Sequence, residues 1–128
     1  MFNFNLKIYY EDTDSGGVVY YANYLKFIER ARTNLIKELG FSLKKLNSDY
    51  DCSFIVRKLR CDYIQSAKLE DELVIHSKIL EIKNASFQIE QNILRDDQII
   101  FTSEVLMACI NSLGQPKKIP KELKSLIK

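Results

Sequence analysis

The 128-residue sequence lacks several features that would place it at once in a class of protein. Its charge is nearly balanced, with 19 Lys and Arg against 17 Asp and Glu, so composition gives little support for nucleic-acid binding. No apolar run is long enough to cross a membrane, so we expect no membrane insertion. The first residues also lack the basic, apolar and small-residue order of a secretory signal, and we therefore expect a cytoplasmic protein.

Cysteine and histidine are also scarce. The three cysteines, Cys52, Cys61 and Cys109, are odd in number and include no Cys-x-x-Cys pair, which favours neither a zinc site nor a complete disulfide framework. We interpret them as reduced, small apolar residues. The single histidine, His76, lies inside an apparent strand and is expected to be structural. Glycine-rich phosphate-binding motifs are also missing, which removes support for phosphate-loop and dinucleotide-binding enzymes.

Apolar periodicity predicts one strand, one long helix and then four further strands. The long helix is expected to have Asn23 as its N-cap and to end near Leu39, because Gly40 follows where a C-terminal cap is expected. Apolar residues on one stripe of this helix are Tyr24, Phe27, Ile28, Ala31, Leu35 and Leu39. The predicted strands cover 2–10, 52–63, 73–82, 86–94 and 99–110, and a short helix is predicted at 121–127.

Residues 41–53 show no clear period, and 47–51 within them are predicted to form a loop, which makes this segment a candidate lid. The last three predicted strands are expected to form an antiparallel meander. The chain is long enough for one domain with a core and too short for two ordinary ones, so residues 1–128 are interpreted as a single domain. The order of elements predicts the α+β class.

The loop between the first strand and the long helix is rich in aspartate and glycine. Asp12-x-Asp14-x-x-Gly17 begins like a calcium-binding loop, but its twelfth position is Asn23 where a glutamate is required, and a strand precedes it. We therefore expect no metal. From composition alone the loop is interpreted as a polar turn whose carboxylates accept hydrogen bonds from nearby N–H groups. A carboxylate beside the free N–H groups of a helix start is also what acyl-transfer chemistry uses.

The same loop carries a resemblance that continues through most of the chain. The residues that match, in order, are Tyr10-x-Asp12-Thr13-Asp14-x-x-Gly17-x-Val19-Tyr20-x-x-x-Tyr24, Phe27-x-Glu29-x-Ala31-Arg32, Phe54-Ile55-Val56-Arg57, Asp62-Tyr63 and Ala67-x-x-x-Asp71. This pattern resembles the signature of the YbgC-type acyl-CoA thioesterases, relatives of 4-hydroxybenzoyl-CoA thioesterase. The resemblance implies a hotdog fold, in which a curved antiparallel sheet wraps around one long central helix. It also implies a homodimer or homotetramer whose subunits pair edge to edge, with active sites at the interface.

The resemblance further implies roles for individual residues. Asp14 would act on the thioester as general base or nucleophile, since aspartate is normally ionised near neutral pH, and Asp12 would brace the loop. The backbone N–H of Tyr21 would stabilise the oxyanion together with the helix N-terminus. Many YbgC-type members carry histidine at this position, so an imidazole-assisted step is in doubt. Glu29 is a secondary catalytic candidate, although an exposed or Arg32-paired carboxylate is a simpler interpretation.

Substrate contacts are implied for Gly17 and Tyr20, and Arg57, Lys58 and Arg60 are candidates for binding the phosphates of coenzyme A. A solvated basic strand face is an equally good interpretation of these three cations. No cofactor is expected. The sequence leaves two candidate functions. The favoured one is an acyl-CoA or acyl-carrier thioesterase that works as a homo-oligomer, and the alternative is a non-catalytic hotdog module that binds acyl chains or scaffolds lipid-metabolism enzymes.

Overall fold

The computed structural model of the protein describes residues 1–127. Its helices and strands, in chain order, are β1 (Phe2–Lys7), α1 (Asn23–Glu38), α2 (Leu43–Tyr50), β2 (Ser53–Tyr63), β3 (Glu72–Ile82), β4 (Ser86–Arg95), β5 (Gln98–Ile110) and α3 (Lys121–Ile127). One turn of 3₁₀ helix, Tyr10–Asp12, follows β1. All the predicted strands and both predicted helices are present, with ends that differ from the prediction by a few residues at most.

The five strands form one antiparallel sheet in the order β1-β3-β4-β5-β2. The three strands β3, β4 and β5 are neighbours, which confirms the predicted meander. A two-residue turn joins β4 to β5, and its residues Asp96 and Asp97 have φ values of 50° and 65°. Positive φ at both positions matches the turn to the twist of the strands. This order leaves β1 and β2 as the two edge strands.

α1 packs against one face of the sheet and forms the centre of the core. Its buried residues are Tyr24, Phe27, Ile28, Ala31, Leu35 and Ile36, so the predicted stripe is confirmed, except that Leu39 is only half-buried. Every second residue of β4 is buried against the helix, from Phe87 to Ile93. Because side chains alternate along a strand, the sheet has an inner face towards α1 and an outer face away from it.

The predicted cap is correct at one end of α1 and wrong at the other. At its end, Gly40 has a φ of +90° and its N–H donates to the carbonyl of Lys37 (2.9 Å), which confirms the predicted glycine cap. At its beginning, the predicted N-cap role of Asn23 is wrong, because Asn23 is the first helical residue and makes no capping bond. Its side-chain amide donates instead to the carbonyl of Asp12 (3.0 Å), and this bond ties α1 to the preceding loop.

The predicted loop at 47–51 is wrong, and with it the basis for a lid, because α2 covers most of this segment. Ser42 caps the helix, since its Oγ accepts a hydrogen bond from the N–H of Lys45 (3.0 Å). Leu46 is buried, and Asp51 ends the helix in the left-handed conformation with a φ of 50°. The segment is therefore a short helix that packs on the body of the protein.

These elements make the α+β arrangement that the resemblance implies, and the predicted hotdog fold is confirmed. Among residues 1–127, no helix combines the length and the apolar character that crossing a membrane requires.

Candidate active site

Asp12 holds the loop between β1 and α1. It is 8% exposed, and its Oδ2 accepts a hydrogen bond from the N–H of Tyr9 (2.9 Å). Its carbonyl accepts hydrogen bonds from the N–H of Tyr20 (3.1 Å) and from the side chain of Asn23 (3.0 Å). Asp12 thus joins the end of β1 to the start of α1, which confirms its predicted bracing role.

Asp14 lies at the exposed tip of the same loop. Its N–H donates to the carbonyl of Val18 (2.9 Å), and its own carbonyl accepts from the N–H of Gly17 (3.1 Å). Its Oδ1 accepts from the N–H of Gly16 (2.8 Å), as the polar-turn interpretation predicts. Its Oδ2 accepts no hydrogen bond from residues 1–127. One carboxylate oxygen of Asp14 is therefore available to a water molecule or a thioester.

Gly17 has a φ of +82°, in the left-handed region where only glycine is unstrained. The loop around it packs on the connection between β2 and β3. The N–H of Val19 donates to the carbonyl of Ala67 (2.8 Å), and the N–H of Leu69 donates to the carbonyl of Gly17 (3.4 Å). The position of the loop thus depends on residues about fifty positions further along the chain.

Asp71 and Arg95 hold that connection in place. The Oδ2 of Asp71 accepts hydrogen bonds from the N–H of Lys68 (2.8 Å) and from the guanidinium of Arg95 (2.8 Å). The same guanidinium donates to the carbonyl of Ser66 (2.9 Å). Burial alone would raise the pKa of Asp71, but the bonds from Lys68 and Arg95 hold this pKa below its ordinary value.

The start of α1 supplies free backbone donors. The carbonyl of Tyr20 accepts from the N–H of Asn23 (2.9 Å), so the loop continues directly into the helix. The N–H groups of Tyr21 and Ala22 donate to no acceptor within the described residues, 1–127. α1 has 16 residues, and a helix N-terminus carries roughly half a positive charge. The N–H group at Tyr21 therefore has the chemistry that an oxyanion requires.

Tyr63, at the end of β2, contacts this helix start, although sequence reasoning gives it no role. Its hydroxyl donates to the carbonyl of Tyr21 (3.0 Å), and its ring lies 5.3 Å from that of Tyr24 and 5.1 Å from that of Phe101 between centroids. Partial burial, with a further effect from Cys61, raises the pKa of Tyr63 to about 12, so its hydroxyl remains a donor at neutral pH. No local pattern indicates this contact, because 42 positions separate Tyr63 from Tyr21.

Two of the predicted phosphate-binding residues lie on the outer face of the sheet. Lys58 and Arg60 pair with residues of β5 that alternate with the buried Val105, so they point away from α1. The guanidinium of Arg60 forms a salt bridge with Glu104 at 2.6 Å. Within one chain, these two cations and the start of α1 are therefore on opposite sides of the sheet.

The remaining predicted contacts lie at the surface. The strand register shifts between Val56 and Lys58, so Arg57 is the additional residue of a β-bulge at the exposed edge of the sheet. Tyr20 is 48% exposed, and its ring lies 4.9 Å from that of Tyr21. Tyr20 is thus placed beside the free N–H groups, whereas Arg57 lies further along β2.

A cavity of about 180 Å³ lies between α1, α2 and the beginning of β2. It equals the volume of roughly six liquid-water molecules, enough for the end of an acyl chain. Its apolar lining includes Leu43, Ile36, Phe54, Val56, Phe87 and Met107. One edge is polar and is formed by Glu29, Arg32 and Thr33 of α1. Sequence reasoning missed this cavity, because its walls come from five separate elements.

Arg32 is half-buried beside the cavity. Its guanidinium donates to Oε1 of Gln91 (2.9 Å), and the fully buried Gln91 is fixed by donating to the carbonyl of Ile28 (2.9 Å) and to Oγ of Ser77 (3.0 Å). Burial lowers the pKa of Arg32, and the negative charge of Glu29 partly opposes this effect. Among residues 1–127, Arg32 forms no salt bridge. Glu29 is thus an exposed carboxylate at the cavity edge and is not ion-paired with Arg32.

The two ends of β2 contact different parts of the candidate site. At one end, Tyr63 of β2 contacts Tyr21, and at the other end Phe54 of β2 lines the cavity beside Thr33 of α1. An α-helix rises 1.5 Å per residue, so the first residue of α1, Asn23, and Thr33 are about 15 Å apart.

His76 is separated from α1 and the cavity by the sheet. It lies on the outer face of β3, level with Asn3 and Asn92 of the neighbouring strands, whereas Ile75 and Ser77 on either side of it are buried. This position supports the predicted structural role.

Comparison with known proteins agrees with the fold and with the family resemblance. The profile of the thioesterase-like superfamily matches residues 9–127. The acyl-CoA thioesterase YbgC of Haemophilus influenzae is 40% identical over 126 residues, which cover 97% of this chain and 92% of that protein. The acyl-CoA thioester hydrolase YbgC of Escherichia coli is 36% identical over 96% of this chain and 92% of that protein.

Solved structures give the same result. The probable thioesterase from Bartonella henselae is 34% identical, with a TM-score of 0.89 over 92% of this chain and 98% of that chain. A protein from Aquifex aeolicus, only 21% identical, has a TM-score of 0.94 over 100% of both chains and shows the shared fold alone. The family resemblance predicted from the sequence is therefore confirmed. The chain belongs to the thioesterase-like superfamily and, within it, to the YbgC-type acyl-CoA thioesterases, a family of thioester hydrolases.

Proposed function

We propose that this chain hydrolyses acyl-CoA thioesters, with Asp14 as the catalytic carboxylate and the N–H of Tyr21 as an oxyanion donor. Family membership indicates the reaction type. The observation that carries the assignment of residues is the free N–H at the start of α1, next to a loop in which Asp14 keeps one carboxylate oxygen unbonded. An attacking group and an oxyanion donor are the two parts that thioester hydrolysis needs.

The proposed reaction can follow either of two routes. Asp14 accepts a proton from the attacking water, or it attacks the carbonyl carbon itself and forms an anhydride that water then opens. In both routes the C–S bond breaks and coenzyme A leaves as a thiolate that takes up a proton. The carbonyl oxygen becomes negative and accepts a hydrogen bond from Tyr21, strengthened by the dipole of α1. Tyr63 fixes the next peptide group through its bond to the carbonyl of Tyr21.

The acyl group is proposed to run between α1 and β2, from the helix start to the cavity. The cavity walls are mainly apolar, and burying an acyl chain there contributes about 25 cal/mol for each Å² of apolar surface. Glu29 and Arg32 lie at the polar edge of the cavity, so we propose them as contacts of the acyl group. Gly17 and Tyr20 would contact the substrate at the thioester end.

Arg57 is the best-placed of the three proposed contacts for the phosphates of coenzyme A. It lies at the exposed edge of the sheet and forms no salt bridge within residues 1–127. The geometry gives little support to Lys58 and Arg60, because both lie on the outer face and Arg60 is paired with Glu104. We propose no cofactor, since a carboxylate and backbone donors are sufficient for this hydrolysis.

We also propose that the protein works as a homodimer or homotetramer in which two copies pair through β2. This edge strand exposes Ile55 (43%), Val56 (47%) and Leu59 (37%), and an apolar unpaired edge is a template for another strand. Antiparallel pairing would place the Tyr63 end of one β2 against the Ser53 end of the other. Each helix start would then lie near the cavity of the partner copy, and the partner's β2 would close the proposed acyl path into a channel.

Release of the coenzyme A thiol from a panel of acyl-CoA substrates tests the proposed function. The panel should contain short and medium aliphatic acyl groups and aromatic ones. Thioesters of acyl carrier protein should be assayed in parallel, because the sequence favours neither coenzyme A nor acyl carrier protein as the carrier. We expect hydrolysis of at least one class, and its loss in the Asp14→Asn variant. Binding of a non-hydrolysable analogue without hydrolysis of any thioester would instead favour a non-catalytic module that binds acyl chains.

A further inference from the structure

Two buried thiols are in direct contact where α2 leads into β2. The Sγ atoms of Cys52 and Cys109 are 2.9 Å apart, and the two residues are 1% and 0% exposed. Cys52 immediately precedes β2, and Cys109 lies near the end of β5, paired with Phe54. Both cysteines are free thiols in this structure. Neither has a part in the proposed hydrolysis, so the contact needs a separate explanation.

Backbone hydrogen bonds hold both cysteines in position. The N–H of Cys52 donates to the carbonyl of Leu46 in α2 (3.0 Å). The N–H of Cys109 donates to the carbonyl of Ala85 (2.8 Å), and its carbonyl accepts from the N–H of Lys117 (3.0 Å). A disulfide bond is about 2.05 Å long, so the sulfur atoms must approach by less than about 1 Å to form one. The two sulfur atoms are therefore already close to bonding distance.

The hydrogen bond between the two thiols makes them chemically unequal. Either residue can be its donor, and when Cys52 donates, the bond lowers the pKa of Cys109 and raises that of Cys52. The positive charge of Lys117, whose Nζ is held by the carbonyl of Tyr50, favours the thiolate form of both cysteines. Because the thiolate is the form that attacks an oxidant, Cys109 is suited to attack first and Cys52 to follow.

We propose that Cys52 and Cys109 are an oxidative modification site that closes to an intrachain disulfide when the protein meets a peroxide. The Cys109 thiolate attacks one oxygen of hydrogen peroxide, the O–O bond breaks and hydroxide leaves, so that Cys109 becomes a sulfenic acid. The Cys52 sulfur then attacks the Cys109 sulfur, the S–O bond breaks, and the departing oxygen leaves as water with the Cys52 proton. The first hydroxide takes up a proton from solvent, so two thiols and one peroxide yield one disulfide and two waters.

The disulfide would tie the beginning of β2 to β5 across 57 positions of the chain. In the chain-entropy model, a disulfide stabilises a protein more when it closes a longer loop. We therefore expect the melting temperature to rise by about 5 °C or more. Because Cys52 follows α2, and Leu43 of α2 lines the cavity, oxidation would also restrain one wall of that cavity.

Peroxide titration followed by peptide mapping without reductant tests this proposal. We expect a linked pair of peptides containing Cys52 and Cys109, lighter by two hydrogen atoms than the separate peptides, together with the rise in melting temperature. Dithiothreitol should reverse both changes. Cys61 is the internal control, because it is the most exposed of the three cysteines and has no bonded sulfur partner within residues 1–127. The Cys61→Ser variant should keep the linked pair and the rise in melting temperature.

The variants Cys52→Ser and Cys109→Ser should each lose the oxidant-dependent rise in melting temperature. If either variant fails to fold, peptide mapping of the unaltered protein still decides the question. The proposal is overturned if peroxide oxidises Cys61, or links separate chains, while Cys52 and Cys109 both remain free for alkylation after denaturation.

Discussion

At the scale of single residues, Asp12 and Asp14 acquire different tasks although only one residue separates them. Asp12 is buried, and its carboxylate and carbonyl are used to join β1 to α1. Asp14 is exposed, and one of its two carboxylate oxygens is bonded to the N–H of Gly16. Loss of the Asp12 charge would therefore weaken the loop, whereas loss of the Asp14 charge would remove its ability to attack or to accept a proton.

We expect Asp14→Asn to lower thioester hydrolysis by at least about 100-fold, the scale of a lost general base. The asparagine oxygen can still accept the N–H of Gly16, so the melting temperature should not change. Asp12→Asn is the matched control, and it should lower the melting temperature or raise KM with a smaller effect on kcat. Thiol-release kinetics and melting curves measure both effects. Near-normal turnover in a stable Asp14→Asn variant would leave this aspartate with a structural role only.

The polar turn that presents Asp14 can be predicted from sequence because its hydrogen bond to Gly16 is local. Tyr63 and Arg32 cannot, since their hydrogen-bond partners lie 42 and 59 positions away. The orientation of the Lys58 side chain cannot be predicted from the sequence for a different reason. Simple alternation from Phe54 would place Lys58 on the inner face, but the bulge at Arg57 shifts the register and turns Lys58 outwards.

At the scale of elements, α1 supports both the core and the proposed site. Ile28 and Leu35 are 1% and 2% exposed, so we expect Ile28→Ala or Leu35→Ala to lower the free energy of unfolding by about 2–5 kcal/mol through lost burial and a cavity. Lys37→Ala, on the exposed side of the same helix, should change it by no more than about 0.5 kcal/mol. Urea denaturation measures all three variants. Similar losses at all three positions would contradict the assigned core face.

α2 shows why a short helix is harder to predict than α1. It has 8 residues and one buried side chain, Leu46, so it presents no periodic apolar stripe. Asn47, Ser48 and Asp49 have low helix propensity, and together they resemble a loop. The helix is stabilised by the Ser42 cap and by packing of Leu46, and tertiary packing of this kind is not visible in a local pattern.

The connection between β2 and β3 makes a prediction about acid stability. Burial alone would raise the pKa of Asp71, but Lys68 and Arg95 lower it in the folded state, so the unfolded chain binds a proton first as the pH falls. The stabilisation is therefore complete above the unfolded pKa of about 3.9 and is lost as the pH falls through the lower folded pKa. We expect Asp71→Asn to lower the free energy of unfolding by about 1 kcal/mol at neutral pH. Below about pH 4, the variant should lose less of its remaining stability than the unaltered protein does.

Melting curves between neutral pH and about pH 3 measure this effect. Asp97→Asn is the control, because Asp97 is exposed in a turn with positive φ, a conformation that asparagine tolerates. An Asp71→Asn variant whose stability falls with acid as steeply as that of the unaltered protein would exclude this linkage.

At the scale of the whole molecule, the two edges of the sheet differ in what they expose. β1 has 6 residues, and its exposed positions are polar, such as Asn3 and Asn5. β2 has 11 residues and exposes Val56 and Leu59 beside α1. Long, apolar edge strands associate unless they are covered. The family resemblance predicts an oligomer, but the edge that pairs can be inferred only from the strand order, which places β2 next to β5.

We expect sedimentation to show a dimer or larger assembly at micromolar concentration, and Leu59→Glu to shift the protein towards monomer. A charge on an edge strand opposes pairing, and because the proposed channel needs both copies, we expect hydrolysis to fall by at least about tenfold. Leu126→Glu is the matched control, because Leu126 in α3 is also exposed (51%) but lies away from β2, and it should leave assembly and activity unchanged. A fully active Leu59→Glu monomer would mean that a single chain holds the complete site, and an unchanged assembly would place the interface on another surface.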